Sequence, residues 1–198
     1  KNSALSANGG DGGDFSGSQI LFLNTVIRGM GDKGISAGEK SRIVVFNSLI
    51  RNSKIGIASK DLSHVSIYAS AFVNNQTALS LYRKKSIFGG GKTDVTSSLF
   101  LRNSSPVDVD AESQITLMNS AISTKLPKKG VGKKGLVTTA ITIGDIRDFS
   151  DQGIFIDKSA SEKFRLPKIL RPQPFLGVKF PDLSNKVMGM IRLLDKLP

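Results

Sequence analysis

Ser18-Gln-Ile-Leu-Phe-Leu-Asn24, Ser41-Arg-Ile-Val-Val-Phe-Asn47, Ser63-His-Val-Ser-Ile-Tyr-Ala69 and Ser113-Gln-Ile-Thr-Leu-Met-Asn119 are four copies of one short pattern, with Lys92-Thr-Asp-Val-Thr-Ser97 a looser fifth. Each carries an apolar pair two residues apart: Ile20/Phe22, Ile43/Val45, Val65/Ile67, Thr93/Val95 and Ile115/Leu117. A period of two places each pair on one face of a β-strand. A second pair follows the Asn position (Val26/Ile27, Leu49/Ile50, Ala71/Phe72, Leu99/Phe100, Ala121/Ile122), and a third marker recurs at Ile35, Ile57, Leu79 and Val107.

The spacing selects the fold. The third marker steps by 22, 22 and 28 residues, and the Asn position (24, 47, 69, 97, 119) steps by 23, 22, 28 and 22. The same long step appears in both series, so six extra residues are inserted around Phe88-Gly-Gly-Gly91. Three short strands in a unit of about 22 residues predict one coil of a parallel β-helix; helical repeats need about 33 residues or more. Coils stacking about 4.8 Å apart superpose equivalent residues in columns. Inward columns are then Ile, Val, Leu and Phe, and Asn24, Asn47 and Asn119 are placed in a partial amide ladder at a turn.

Composition agrees with a turn-rich chain of 198 residues that holds 20 Gly and no Trp. The absence of Cys excludes disulfides and thiolate metal sites. No run reaches 18 apolar residues, so no transmembrane helix is predicted. Lys1-Asn-Ser-Ala-Leu-Ser6 already reads as repeat, without a charged start and apolar segment, so a longer solenoid or a processed start is expected. Net charge is +12 and unevenly placed: residues 1–124 hold 13 Lys/Arg against 9 Asp/Glu, and residues 125–198 hold 15 against 7. All seven prolines lie from Pro106 onward. The expected organisation is β-helix coils over residues 1–124 and a basic capping or docking extension over residues 125–198.

Gly31-Asp-Lys-Gly-Ile-Ser-Ala-Gly-Glu-Lys-Ser41, Ile57-Ala-Ser-Lys-Asp-Leu-Ser63, Tyr82-Arg-Lys-Lys-Ser86 and Gly89-Gly-Gly91 resemble the right-handed parallel β-helix domains, pectate-lyase-like, of bacterial surface and exopolysaccharide-associated proteins. The resemblance covers about residues 5–124. It implies a right-handed helix and an extracellular, periplasmic or cell-surface setting. That superfamily includes polysaccharide lyases, epimerases and noncatalytic surface domains.

Four residues past the third markers stand Glu39, Asp61, Arg83 and Ala111, and the first three are charged at spacings that superpose them. With Lys60, Tyr82, Lys84 and Lys85 beside them, they form a mixed-charge stripe with one aromatic, suited to an acidic sugar polymer. A structural reading stands next to it: stacked unlike charges keep a solenoid soluble and relieve one another by about 0–1 kcal/mol per exposed pair. Resemblance to the β-helix lyases of alginate and chondroitin implies Lys60 as base with Arg83, and Ca²⁺ on Glu39 and Asp61. Such a base needs a lowered pKa. Apart from that Ca²⁺, no cofactor is expected.

Other patterns lead elsewhere. Gly89-Gly-Gly-Lys-Thr93 lacks the earlier glycine of a phosphate loop, Ser86 standing in its place, and no helix follows. His64, the one histidine, lies outside the inward columns, and Asp11 and Asp14 match no calcium loop. Leu126-Pro-Lys-Lys-Gly-Val-Gly-Lys-Lys-Gly135 is a basic loop, but without interleaved aromatics nucleic acid is a poor partner. Val137-Thr-Thr-Ala-Ile-Thr-Ile143 and Gly153-Ile-Phe-Ile-Asp157 return to β character as final coils or a cover for the open end, and residues 165–174 are expected to be extended. A short terminal helix over residues 185–196, capped by Ser184, would align Leu183, Val187, Met190, Ile191, Leu194 and Leu197. That stripe packs on the coils or, through residues 175–198, on a protein partner. Taken together, a noncatalytic structural or acidic-glycan-binding domain is expected first. A lyase or epimerase acting on uronic-acid polymers comes second, and a subunit tethered through its basic tail third.

Overall fold

A computed structural model describes residues 3–118 and 120–123, with the short pieces 136–138, 141–142, 148–150, 153–155 and 175–177. The chain opens with β1 (Ser3–Ser6) and β2 (Asp14–Ser16) and then winds through four complete three-strand coils. These are β3 (Gln19–Leu23), β4 (Thr25–Arg28), β5 (Lys33–Gly38); β6 (Arg42–Phe46), β7 (Leu49–Arg51), β8 (Ile55–Lys60); β9 (His64–Tyr68), β10 (Ala71–Val73), β11 (Thr77–Tyr82); and β12 (Lys92–Thr96), β13 (Leu99–Leu101), β14 (Ser105–Val109). β15 (Gln114–Met118) and β16 (Ala121–Ile122) begin the next coil, and β17 (Leu136–Thr138) and β18 (Ile141–Thr142) stack on them in parallel. Stacking thus continues to residue 142. β19 (Asp148–Ser150) and β20 (Gly153–Phe155) pair antiparallel, so residues 153–155 form a hairpin arm.

Three parallel sheets result. Sheet A runs β1-β4-β7-β10-β13-β16-β18, sheet B β14-β11-β8-β5-β2, and sheet C β17-β15-β12-β9-β6-β3. The molecule is an all-β parallel solenoid. Among the described residues there is no helix; the expected basic loop at 126–135, extended segment at 165–174 and helix at 185–196 lie outside them. Register follows the sequence columns: Ile43 pairs Ile20 and Val65, Phe72 pairs Ile50 and Phe100, and Leu79 pairs Ile57 and Val107. Ile27, Ile35, Ile43, Ile50, Val65, Phe72 and Phe100 are sealed in one continuous core. Phe72 stacks on Phe100 at 5.0 Å with planes 10° apart.

The corner between sheets C and A is one left-handed residue per coil: Asn24, Asn47, Ala69 and Ser97 have φ of 52°, 48°, 45° and 53°. Asn tolerates this conformation because its short amide finds local partners. Asn47 Nδ2 donates to Asn24 Oδ1 at 2.9 Å, which is the expected ladder's first rung. Ala69 and Ser97 interrupt it, and Asn119 lies outside the described residues. Just past that corner a serine ladder runs instead: Thr25, Ser48, Ser70 and Ser98 each donate a backbone N–H to the hydroxyl of Ser48, Ser70, Ser98 and Ser120 at 3.1–3.2 Å. Between sheets A and B, the N–H of Ser53 reaches Asn75 Oδ1 at 3.0 Å and that of Asn75 reaches Asn103 Oδ1 at 2.9 Å. Buried amides that face no strand are satisfied in this way.

Candidate binding face at the corner between sheets B and C

The third corner differs. After β5 and β8 the chain turns in three residues, through the left-handed pairs Glu39-Lys40 (φ 57° and 66°) and Asp61-Leu62 (φ 53° and 63°). After β11 the turn takes nine residues, 83–91, which locates the six-residue insertion. Asp61 is buried and holds this loop: its Oδ1 accepts the N–H of Lys84 at 2.7 Å and of Lys85 at 2.8 Å. The Leu62 N–H reaches the carbonyls of Gly89 and Gly90 at 3.2 and 3.1 Å, and Arg83 N–H donates to Asp110 Oδ2 at 2.7 Å. The loop closes through Gly91, where a Cβ would lie 2.0 Å from the Ser59 carbonyl oxygen; no other residue fits there without backbone movement.

Predicted residues meet here in part. Glu39 accepts from the Lys85 ammonium and from the Ser16 hydroxyl. The Lys85 bond, then the Ser16 bond, hold the Glu39 carboxyl below the usual range, and Lys85 is raised by the same bond. Lys85 therefore bridges two coils, giving its ammonium to Glu39 and its amide to Asp61. Arg83 turns the other way along the stack, its Nη1 2.9 Å from Glu112 Oε1. Lys40 lies over the Phe88 ring, 6.0 Å from its centroid, and Lys84 is exposed. Ile87, 82% exposed, and Leu62, 50% exposed, complete an outer edge that is basic and apolar together.

Lys60 is not part of that edge. It is 5% exposed on the outer face of sheet B, its Nζ 2.7 Å from Ser36 Oγ and 3.9 Å from Asp14 Oδ1. Burial pushes its ammonium below the ordinary lysine range; Asp14 opposes this, and the Lys84 and Lys33 charges add to it. Lys60 is thus a sheet-face lysine sealed by its neighbours. Tyr82 pairs Lys60 in the strand register, and burial raises its phenol. Lys60 and Arg83 extend in opposite directions along the stack, so these two residues are not brought together.

Sequence reasoning missed the partners on the sheet B face. Asp11 accepts the Lys33 backbone N–H at 3.1 Å and lies 3.4 Å from its Nζ, while Asp32 holds the same ammonium. Burial alone would lower Lys33, but the Asp32 bond and the Asp11 charge prevail and raise it. The signal was one acid, Asp11, a coil below Lys33 at 22-residue spacing, and a second, Asp32, next to it in the chain. His64 projects from sheet C, Nε2 2.7 Å from Asp94 Oδ2, and this bond lowers the Asp94 pKa. With Glu39 and Asp61 both engaged as above, no three His, Cys, Asp or Glu side chains among the described residues are grouped to hold a metal ion.

No family model matches the chain, and no curated protein or solved structure matches it.

Proposed function

We propose that this chain is a noncatalytic β-solenoid domain of an extracytoplasmic protein that binds an acidic glycan along the corner between sheets B and C. The observation that carries this reading is the pinned 83–91 loop. Asp61 and the Leu62 amide fix its backbone, and the Asp61 carbonyl accepts the Lys40 N–H at 2.9 Å in the turn below, so Lys84 and Lys40 are displayed from ordered backbone. Among the described residues neither ammonium is paired with a carboxylate. Phe88 and Ile87 supply apolar surface for sugar faces between the charges. Regularly spaced uronate carboxylates match such a row of cations, and the attraction weakens with salt.

The test is retention on an immobilised uronic-acid polysaccharide, with a neutral polysaccharide as control. Lys40→Ala with Lys84→Ala is expected to lower the salt needed for elution on the acidic matrix and to leave the neutral one unchanged. Equal elution of the double variant and the parent would refute the assignment.

A lyase is the second reading, favoured by one observation: Lys60 has the lowered pKa that a general base requires, with Tyr82 in the next coil. Its burial is the obstacle, since substrate must displace the cover over Lys60. Incubation with alginate, pectate and chondroitin in the presence of Ca²⁺, followed by absorbance of unsaturated products, decides it; no product removes this reading.

A further inference from the structure

Exposed aliphatic side chains are concentrated where the unpaired cations are. Among the described residues three large hydrophobic residues are largely exposed, Ile87 at 82%, Leu176 at 54% and Leu62 at 50%, and two of the three stand at the corner between sheets B and C. Neither is placed there by the needs of the turn. Ile87 is the third residue of a β-turn that the Phe88 N–H closes on the Lys85 carbonyl at 3.0 Å, a position that polar residues and glycine fill best. Leu62 has a left-handed backbone, φ 63°, which is costly for a branched side chain; one coil below, the same position is Lys40 at φ 66°. Leu62 also leans on the loop, since a Cβ added at Gly89 would lie 2.9 Å from its Cδ2. Gly89 follows Ile87 by two residues, a reach of about 7 Å at most, so the two aliphatic groups border one patch. The aromatic ring in that patch, Phe88, is half-buried and has the Lys40 ammonium over it, 6.0 Å from its centroid. What stays open at the tip is aliphatic.

We propose that this patch, which rests on the acidic-glycan reading above, recognises acyl groups: the glycan bound at this corner carries O-acetyl or similar short acyl esters beside its carboxylates. A bare uronate polymer presents hydroxyls and carboxylates at its edges, and these give up water against isoleucine and leucine with no hydrogen bond in return. An acetyl ester puts a methyl group where a hydroxyl stood, and the methyl gains by leaving water against Ile87 and Leu62. The carboxylate then meets Lys84, three residues before Ile87 on the same loop. Both halves of the site are ordered before binding, because Asp61 Oδ1 fixes the Lys84 and Lys85 amides and the turn fixes the Ile87 backbone. The balance of charge disfavours a lipid surface as occupant. Of the loop's cations, Arg83 is held by Glu112 and Lys85 by Glu39, so Lys84 and the neighbouring Lys40 remain, fewer than a cluster that holds to anionic headgroups. Two aliphatic side chains are likewise less than the apolar face of a membrane-binding helix.

Retention on immobilised alginate, before and after chemical O-acetylation that leaves its carboxylates in place, tests this. The parent is expected to bind the acetylated polymer more tightly, by about fourfold for each methyl group shielded. Ile87→Ser, alone or with Leu62→Asn, which the left-handed backbone accepts, is expected to remove that preference. Lys40→Ala with Lys84→Ala is expected to weaken binding to both forms and to keep the ratio between them. Equal affinity of the parent for the two forms, or a preference that survives Ile87→Ser, would overturn the inference and leave the glycan reading standing. If the double lysine variant matches the parent on both forms, or neither form retains the parent, the glycan reading itself fails and this inference with it. Co-sedimentation with phosphatidylglycerol vesicles that Ile87→Ser abolishes, without binding to either polymer, would make a lipid surface the occupant instead.

Discussion

The corner between sheets C and A and the corner between sheets B and C solve the same problem under different constraints. At the first, one left-handed residue turns the chain in every described coil, and hydroxyl and amide ladders absorb the backbone amides it leaves behind. At the second, the turn is two left-handed residues and a serine in two coils and nine residues in a third. A one-residue register slip at the first corner would turn the side chains of the next strand to the opposite face. At the second an insertion is tolerated, because the loop leaves and re-enters in register and is tied back by a carboxylate. One corner therefore sets the stack, and the other is free to carry a surface feature.

The largest effect expected from breaking this contrast is at the point where the insertion rejoins the stack. Gly91→Ala puts a Cβ 2.0 Å from the Ser59 carbonyl oxygen and forces β8 and β12 apart, at an expected cost of about 3 kcal/mol or more. The urea midpoint measures it; a change below about 1 kcal/mol would mean the loop closure has slack. Next comes Ser70→Ala at the strict corner, which strands the buried Ser48 N–H and should cost about 1–3 kcal/mol. A neutral result would require a water to replace the hydroxyl.

Asp61→Ala sharpens the contrast from the other side. It removes the acceptor shared by the Lys84 and Lys85 amides, so hydrogen exchange at those two positions should rise well before the rest of the chain opens. Global stability should fall by about 1–2 kcal/mol, and retention on an acidic matrix should weaken even though no cation is lost. Retention equal to the parent's would show that the loop's order contributes nothing to binding.

The strict corner was the legible one. Apolar columns and their 22-residue step follow from what a stacked core demands, so every inward column in the sequence reappears as a register pair. The 28-residue step located the insertion for the same reason. The serine ladder was less visible, because serine is common in turns and only the pairing of Ser48, Ser70, Ser98 and Ser120 with the amide one coil below gives it a role. At the permissive corner, sequence could place Glu39, Asp61 and Lys85 near one another. It could not assign Asp61 to backbone amides or bury Lys60 on the outer face of sheet B, since both depend on which way long or short side chains lean along the stack.

The smallest effect tests the strict corner's own irregularity. Ser97 occupies the left-handed position with φ 53°, and its hydroxyl is buried without a hydrogen-bond partner. A non-glycine residue in this conformation costs about 1–2 kcal/mol, and an unsatisfied buried hydroxyl about 1 kcal/mol or more. Ser97→Gly removes both, against about 0.5–1 kcal/mol of added chain entropy in the unfolded state. The Ser97 N–H to Met118 carbonyl bond at 3.0 Å is kept, so the stack is undisturbed. A gain of about 1 kcal/mol is expected, read as a higher urea midpoint with an unchanged slope. A loss would mean that Ser97 positions the corner through packing that outweighs its backbone strain. In that case the corner's uniformity would rest on side-chain contacts from coil to coil and not on a tolerance for left-handed backbone.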